Sequence, residues 1–444
     1  MFPGITRGIS NVFQVIKRAL WGDISGEEFK RFGLLSLTFL FLIGTYWLMR
    51  PLKDGLFMKI VGSSYIPWAK IASLIVIIPL ILAYSKLVDL VPKQRLFYIL
   101  CSIYAALFLG ISFALTLPDI GLANTIASPT RIFGWIIYLS IESYGSMLPA
   151  LFWSFVASST STESAKKGYA LIIFGAQFGS IAGPMLAGNA KFFGMPLLAI
   201  FVAIGIIIVP LLIKYFITVY PSAAENTPSK TEKKTGPLEG LKLLLTKPYL
   251  AGILGVATLY EVIGTIIDYQ MKVSADVAFP TSEGATQFLG WFGASANSLS
   301  LVFALLGTSF VIRRFGLTFC LVAFPVTIGV VVAYVWAFPQ IWTLFGAMVA
   351  IKGLSYALNN PCKEIMYIPT SKDVKFKAKG WIDMFGGRSA KAAGSGINAF
   401  FPTLTDLMFF GSIISLGIVG VWIAVAFYVG TSNKKLTETG TIIS

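Results

Sequence analysis

Arg50, Lys53 and Asp54 stand three and four residues apart inside an otherwise apolar run, so on a helix they share one face. Similar clusters recur downstream. Glu261, Asp268 and Lys272 are spaced i, i+7 and i+11, again one face, and Arg388 and Lys391 are i, i+3. Lys363-Glu364 follows Asn359-Asn360-Pro361, where the proline removes a backbone donor and bends the helix it interrupts. Lys70 and Glu142 stand alone, and Asp383 completes the set. An ionisable group at the centre of a bilayer costs about 2.5–3.5 kcal/mol on insertion scales. Such groups make poor filler and mark a water-accessible path. Bases outnumber acids along it, which suits a multiply anionic substrate, since Arg and Lys make charge-assisted bonds to phosphate oxygens.

The elements that must hold these charges are membrane spans. The chain has 444 residues, 56% hydrophobic and 12% charged, with a mean hydropathy of +0.78; a soluble domain carries about 25% charged residues. The apolar residues fall in runs long enough to cross, over 32–53, 66–85, 96–117, 132–157, 168–188, 196–217, 249–271, 288–311, 317–337, 341–366, 382–401 and 405–429. This predicts an all-α membrane protein of about twelve transmembrane helices. The chain has no histidine, which excludes His-based metal sites, His proton relays and Ser-His triads. Cys101, Cys320 and Cys362 are too few and too dispersed for a disulfide framework. No phosphate-binding P-loop and no dinucleotide fingerprint is found, so the reading expects neither an enzyme nor a bound cofactor or metal.

Basic residues sort by side. Arg7, Lys17, Arg18, Lys30 and Arg31 precede the first span; Lys86, Lys93 and Arg95 follow the second, Lys166 and Lys167 the fourth, and Arg313-Arg314 the eighth. Lys372, Lys375, Lys377 and Lys379 follow the tenth span, and Lys434-Lys435 the twelfth. The positive-inside rule then places both termini in the cytoplasm, consistent with an even number of spans. The longest polar stretch, Pro221 to Lys247, falls between spans six and seven. The expected division is a cytoplasmic segment 1–31, a six-helix half 32–219, a cytoplasmic linker 220–248, a second six-helix half 249–430 and a cytoplasmic tail 431–444. Residues Met1 to Arg31 read as a short amphipathic segment around Val12–Ile16 that caps the bundle, without a cleavable signal pattern.

The halves resemble each other. Lys167-Gly168-Tyr169 leading to Phe174-Gly175 and Gly183 parallels Lys379-Gly380-Trp381 leading to Phe385-Gly386 and Gly394, with one gap. This fits parallel repeats about an axis normal to the membrane, as in the major-facilitator type of transporter, with the site between the halves near the midplane. Gln177 then corresponds to Arg388 and Ser180 to Lys391, so the second half has cations where the first has neutral polar groups. The stripe Gly175, Gly179, Gly183 reads as helix packing. Tyr46, Trp47, Tyr144, Trp153, Tyr260, Tyr269, Tyr356 and Trp381 are the aromatic candidates for a wall on which a nucleotide base could stack.

These segments resemble the ATP/ADP translocase family of plastids and of obligate intracellular bacteria such as chlamydiae and rickettsiae, which is distinct from the mitochondrial carriers. The resemblance runs from about Glu27 to Lys434. It is carried by Arg50-Pro51-Leu52-Lys53-Asp54, Ile66-Pro67 with Lys70, Glu142-Ser143-Tyr144-Gly145-Ser146, Glu163 to Phe174-Gly175, Asp268 to Lys272, Lys363 to Pro369, and Lys379 to Lys391. It implies a twelve-span nucleotide transporter of a bacterial inner membrane or plastid envelope that exchanges ATP for ADP with phosphate. Proton-coupled movement of GTP, UTP, CTP or NAD is the alternative, and a non-transporting nucleotide receptor or scaffold is an alternative of another class. By motif match the family's important charged positions fall on Lys53, Glu142 and Asp268.

The resulting site set is Lys53, Lys70, Glu142, Tyr144, Asp268, Lys272, Lys363, Arg388 and Lys391. Within it Lys53, Lys70, Lys363, Arg388 and Lys391 grip phosphate, and Glu142 and Asp268 are counter-charges that pair with bases in the empty state or carry protons. The partners expected are the nucleotide and the lipid bilayer, with no nucleic acid, for a monomer in a bacterial inner membrane. Pro51 stands where the family has Asp, Ser355 where several members have Lys, and Asp268 where Glu is usual.

Overall fold

A computed structural model describes residues 25–160, 162–221, 237–306, 308–401 and 403–443. The amphipathic Val12–Ile16 stretch, the Lys230–Lys234 part of the linker and the side chain of Asp383 lie outside the described residues.

Twelve long helical segments follow one another among the described residues. The first six are α1 (Gly26–Ile60), α2 (Ile66–Leu90), α3 (Lys93–Leu115), α4 (Ile132–Ser159), α5 (Thr162–Ala187) and α6 (Met195–Val219). A short helix, Pro237–Thr246, precedes α7 (Pro248–Ala278), α8 (Ser282–Leu306) and α9 (Thr308–Ala337), the last interrupted at Gly316, where φ is 81°. The tenth, α10, is Ile341–Leu354 carried through a π-helical turn, Ser355–Asn359, into Asn360–Met366. Likewise α11 is Lys372–Trp381, a π turn Ile382–Gly386, and Gly387–Ala399. Leu404–Glu438 is α12. The twelve helices expected are therefore present, most of them longer than their apolar cores.

Local chemistry explains the ends. Ser25 and Glu28 form a reciprocal capping box at the start of α1, the Ser25 hydroxyl accepting from the Glu28 amide at 3.1 Å. Gly62, at φ 115°, turns the chain between α1 and α2, a backbone region costly for a residue with Cβ. Arg131 is held in its loop by four carbonyls: Asn124 and Ile126 on Nη1, Ile120 and Gly121 on Nη2. Pro361 cannot donate to the carbonyl four residues back. The π turn just before it takes up the mismatch, with the Asn360 amide bonding five residues back to Ser355.

Small residues set the tightest seam. A Cβ at Gly175, Gly179 or Gly183 would strike α1 backbone at Ser36, Leu40 and Gly44 respectively. The glycine stripe thus lets α5 press backbone to backbone on α1, and the Ser36 hydroxyl donates to the Leu171 carbonyl across it at 2.7 Å.

Among the described residues, nine helices are long and apolar enough to cross a membrane. The remaining three are α4, α10 and α11. Two of these are broken by π turns, and α4 carries Glu142, Ser143 and Ser146 at its centre. They are also the helices that bear much of the charge described next.

Candidate substrate site

Helix α7 carries a charged stripe. Asp268, Lys272 and Asp276 lie four residues apart and project from one face. Each meets the first half: Asp268 accepts from Lys70 of α2 at 3.0 Å, Lys272 pairs with Asp54 of α1 at 2.9 Å, and Asp276 pairs with Lys59 of α1 at 2.5 Å. Lys272 also bonds Asp268 at 2.8 Å. These are the ion pairs that link described residues of the two halves. Asp54 and Lys272 are only 8% and 6% exposed, so losing Lys272 would leave the buried Asp54 with Lys53 alone, 3.8 Å away. Around them the halves close through Asn297 of α8, which accepts from Gln177 at 3.1 Å and donates to the Ser180 carbonyl at 2.6 Å, both on α5.

The opposite side, where α1 and α7 begin and α12 ends, is held differently. Arg31 of α1 bonds the Ser159 carbonyl at the end of α4, within the first half. Tyr249 of α7 donates to the Met366 carbonyl at 2.6 Å and accepts from Asn433 of α12 at 2.7 Å, within the second. Lys379 and Glu364 pair at 2.5 Å, also within the second half. Among the described residues, these bonds tie each half to itself on that side.

Between them lies a cavity of about 410 Å³. From the first half Arg50, Lys53, Lys70 and Glu142 reach it; from the second, Asp268, Lys272, Lys352, Arg388 and Lys391 do so, with Glu261 at its rim. Tyr46, Tyr138, Leu74 and Ile77 supply its less polar wall. A side chamber of about 270 Å³ adjoins it between α7, α10 and α11, and Lys363 lines that chamber.

The cations fall into two sets. Lys53 bonds Glu142 and sits 4.3 Å from the centroid of the Tyr138 ring; Lys70 and Lys272 are paired as above. Arg50, Lys352, Lys363 and Arg388 have no described carboxylate oxygen within 4.0 Å. Arg50 lies over the Trp47 ring at 4.6 Å and Lys352 over the Tyr260 ring at 5.5 Å, and among the described residues Arg388 bonds the Ser146 hydroxyl, at 3.2 Å. Lys391 is 3.7 Å from Glu261 and 55% exposed.

Of the residues expected from sequence, Lys53, Lys70, Glu142, Asp268, Lys272, Arg388 and Lys391 meet in the main cavity, and Lys363 is next door. Tyr144 is elsewhere. It is 1% exposed, edge-on to Tyr104 at 5.3 Å, with its hydroxyl on the Leu42 carbonyl. Two residues past Glu142 is about 200° round an α-helix, so both cannot face one cavity. Trp153 packs on Phe39 and Tyr169, and Tyr260 on Phe324 and Trp422. Tyr46 lines the cavity, as does Tyr138, which is absent from the aromatic candidates drawn from sequence. Absent from the sequence candidates too are Lys352, an intramembrane cation like the others, and the Lys59–Asp276 pair, whose acid continues the α7 stripe one turn beyond the span boundary drawn at residue 271.

Two six-helix halves around a charged cavity give the fold of the major-facilitator type of transporter. A family model described as TLC ATP/ADP transporter matches residues 7–118, 121–345 and 339–432, and the chain belongs to that family. It is 26% identical over 91% of its length to ADP,ATP carrier protein 2, chloroplastic, of Arabidopsis thaliana, covering 75% of that protein. It is 26% identical over 98% of its length to ADP,ATP carrier protein 1 of Chlamydia muridarum, covering 93% of that protein. The fold is similar to a crystal structure of a bacterial homologue of the iron transporter ferroportin in an inward-facing state. The TM-score is 0.63 at 14% identity, over 92% of this chain and all of that one.

Proposed function

We propose that the protein exchanges ATP for ADP, with phosphate, across a bacterial inner membrane by alternating access. In this reading the termini are cytoplasmic, and the arrangement described here opens to the cytoplasm. The observation that carries the proposal is the cavity between the halves. Its volume falls in the range of about 300–1,000 Å³ usual for small-ligand sites, and it holds cations with no carboxylate partner among the described residues. An unpaired charge buried away from water is costly, so these cations favour a ligand that brings several negative charges of its own.

The two sets of cations divide the work. Arg50, Lys352, Lys363, Arg388 and Lys391 grip the phosphates. Lys53, Lys70 and Lys272, with Asp54, Glu142 and Asp268, hold the far side shut. Phosphate held by Arg50 and Arg388 brings its negative charge up to Glu142 and Asp268, repels them from Lys53 and Lys70, and loosens that closure. Binding and gating are then coupled through contacts that differ between states.

The test is labelled-ATP uptake into proteoliposomes holding the purified protein. Uptake that requires unlabelled ADP or ATP inside is the expected result. Uptake of equal size into empty vesicles, driven by an imposed pH gradient, would replace exchange with proton-coupled import.

A further inference from the structure

Glu261 stands on the partition between the main cavity and the side chamber and lines both, together with Arg388 and Lys391. In the chamber it faces Lys363, Arg388 and Lys391, three cations against one carboxylate among the described lining residues. Its hold on Lys391 is loose. The separation is 3.7 Å, against 2.5–3.0 Å for the pairs that join α7 to the first half. The chamber is walled by Ala257 and Ile382, and its volume of about 270 Å³ leaves room for an oxyanion and several waters. Both cation-bearing segments follow π turns: Lys363 lies just after Ser355–Asn359 and Arg388 just after Ile382–Gly386. Such turns re-aim side chains and gather at functional sites.

We propose that the side chamber is a second oxyanion subsite, whose resident occupant in the empty protein is the Glu261 carboxylate. This deepens the transport reading and rests on it for the natural ligand, the far phosphates of a nucleotide. While Glu261 stays among the cations, a ligand of low charge gains little by entering. A ligand of higher charge displaces it from Lys391 and takes all three cations. Glu261 thus sets how much negative charge a ligand must bring, and discriminates triphosphate from diphosphate by charge rather than by fit.

The test is equilibrium binding to the full-length purified protein, with ATP, ADP, adenosine and inorganic pyrophosphate as probes. Glu261→Gln removes the competing charge but keeps the shape. It should tighten ATP and pyrophosphate about tenfold, ADP less, and leave adenosine unchanged, the scale of one charge-assisted contact. Lys363→Gln should do the reverse, weakening ATP and pyrophosphate about tenfold with adenosine unchanged. Equal shifts for ATP and adenosine, or weaker binding of every probe to Glu261→Gln at an unaltered ligand-free melting temperature, would overturn the proposal. Lys363→Gln keeps the question open to measurement should Glu261→Gln fold poorly. A protein that ignores ATP yet binds pyrophosphate, more tightly after Glu261→Gln, removes the nucleotide reading and supports the subsite. Pyrophosphate binding indifferent to both substitutions overturns the subsite whatever ATP does.

Discussion

The two halves place different chemistry at equivalent points of one scaffold. In the first half α5 runs unbroken, and Gln177 and Ser180 are engaged with Asn297 across a closed seam. In the second half α11 is interrupted by a π turn. Its residues at the same repeat positions, Arg388 and Lys391, have among the described residues a hydroxyl at 3.2 Å and a carboxylate at 3.7 Å. A neutral amide or hydroxyl can be satisfied by backbone and then sealed; a cation can be sealed only with an anion. At these equivalent positions α5 therefore supplies a seam and α11 a grip.

The severest way to break this comparison is to give the seam the grip's residues. Gln177→Arg with Ser180→Lys places two charges where backbone partners now suffice. The expected loss is about 3–5 kcal/mol, read as a collapsed melting temperature in detergent or failure to insert. A double variant as stable as wild type would mean that the α5–α8 seam is wet, and the contrast between the halves would be lost.

A smaller effect sharpens the second half's side. Among the described residues Lys352 has the Tyr260 ring and no carboxylate beside it, so Lys352→Gln costs the empty protein little and the loaded one a charge-assisted contact. ATP uptake should fall about tenfold with the melting temperature retained. Loss of stability without loss of uptake would make Lys352 a packing residue.

The smallest effect concerns the closure. Lys59–Asp276 is the outermost inter-half pair on α7, with both side chains about one-fifth exposed, and a pair so placed contributes about 1 kcal/mol. Asp276→Asn should raise the population open at that side about fivefold. The readout is membrane-impermeant maleimide labelling of Thr286→Cys, a position buried against Gly55 of α1 in the present arrangement. Labelling no faster with Asp276→Asn would show that the pair is no latch.

Much of the fold is legible in the sequence because membrane physics writes it plainly. Spans need about 20 apolar residues, and helix spacing sorts charges by face, so spacing alone puts Arg50, Lys53 and Asp54 on one face and Asp268 with Lys272 on another. Pairing across helices is not legible. Nothing in the spacing of Lys70 or Glu142 says that one meets Asp268 and the other Lys53; that depends on which helices pack together. Lys59 and Asp276 escape a reading by hydropathy because the apolar cores of α1 and α7 end before their helices do. Tyr144 enters on a motif match, although its distance from Glu142 turns it into the core of the first half. The π turns have one visible cause, Pro361, and the turn in α11 has none.

The central claim is that the unpaired cations bind the ligand while the paired ones close the gate. The most direct measurement compares ATP affinity and ATP uptake for Arg388→Gln and Lys70→Gln. Asp268 keeps Lys272 in the second variant, so the fold should survive. The account predicts that Arg388→Gln weakens ATP binding about tenfold or more. It predicts that Lys70→Gln binds ATP nearly as well as wild type yet loses uptake. Equal loss of affinity in the two variants, or the greater loss in Lys70→Gln, would contradict it.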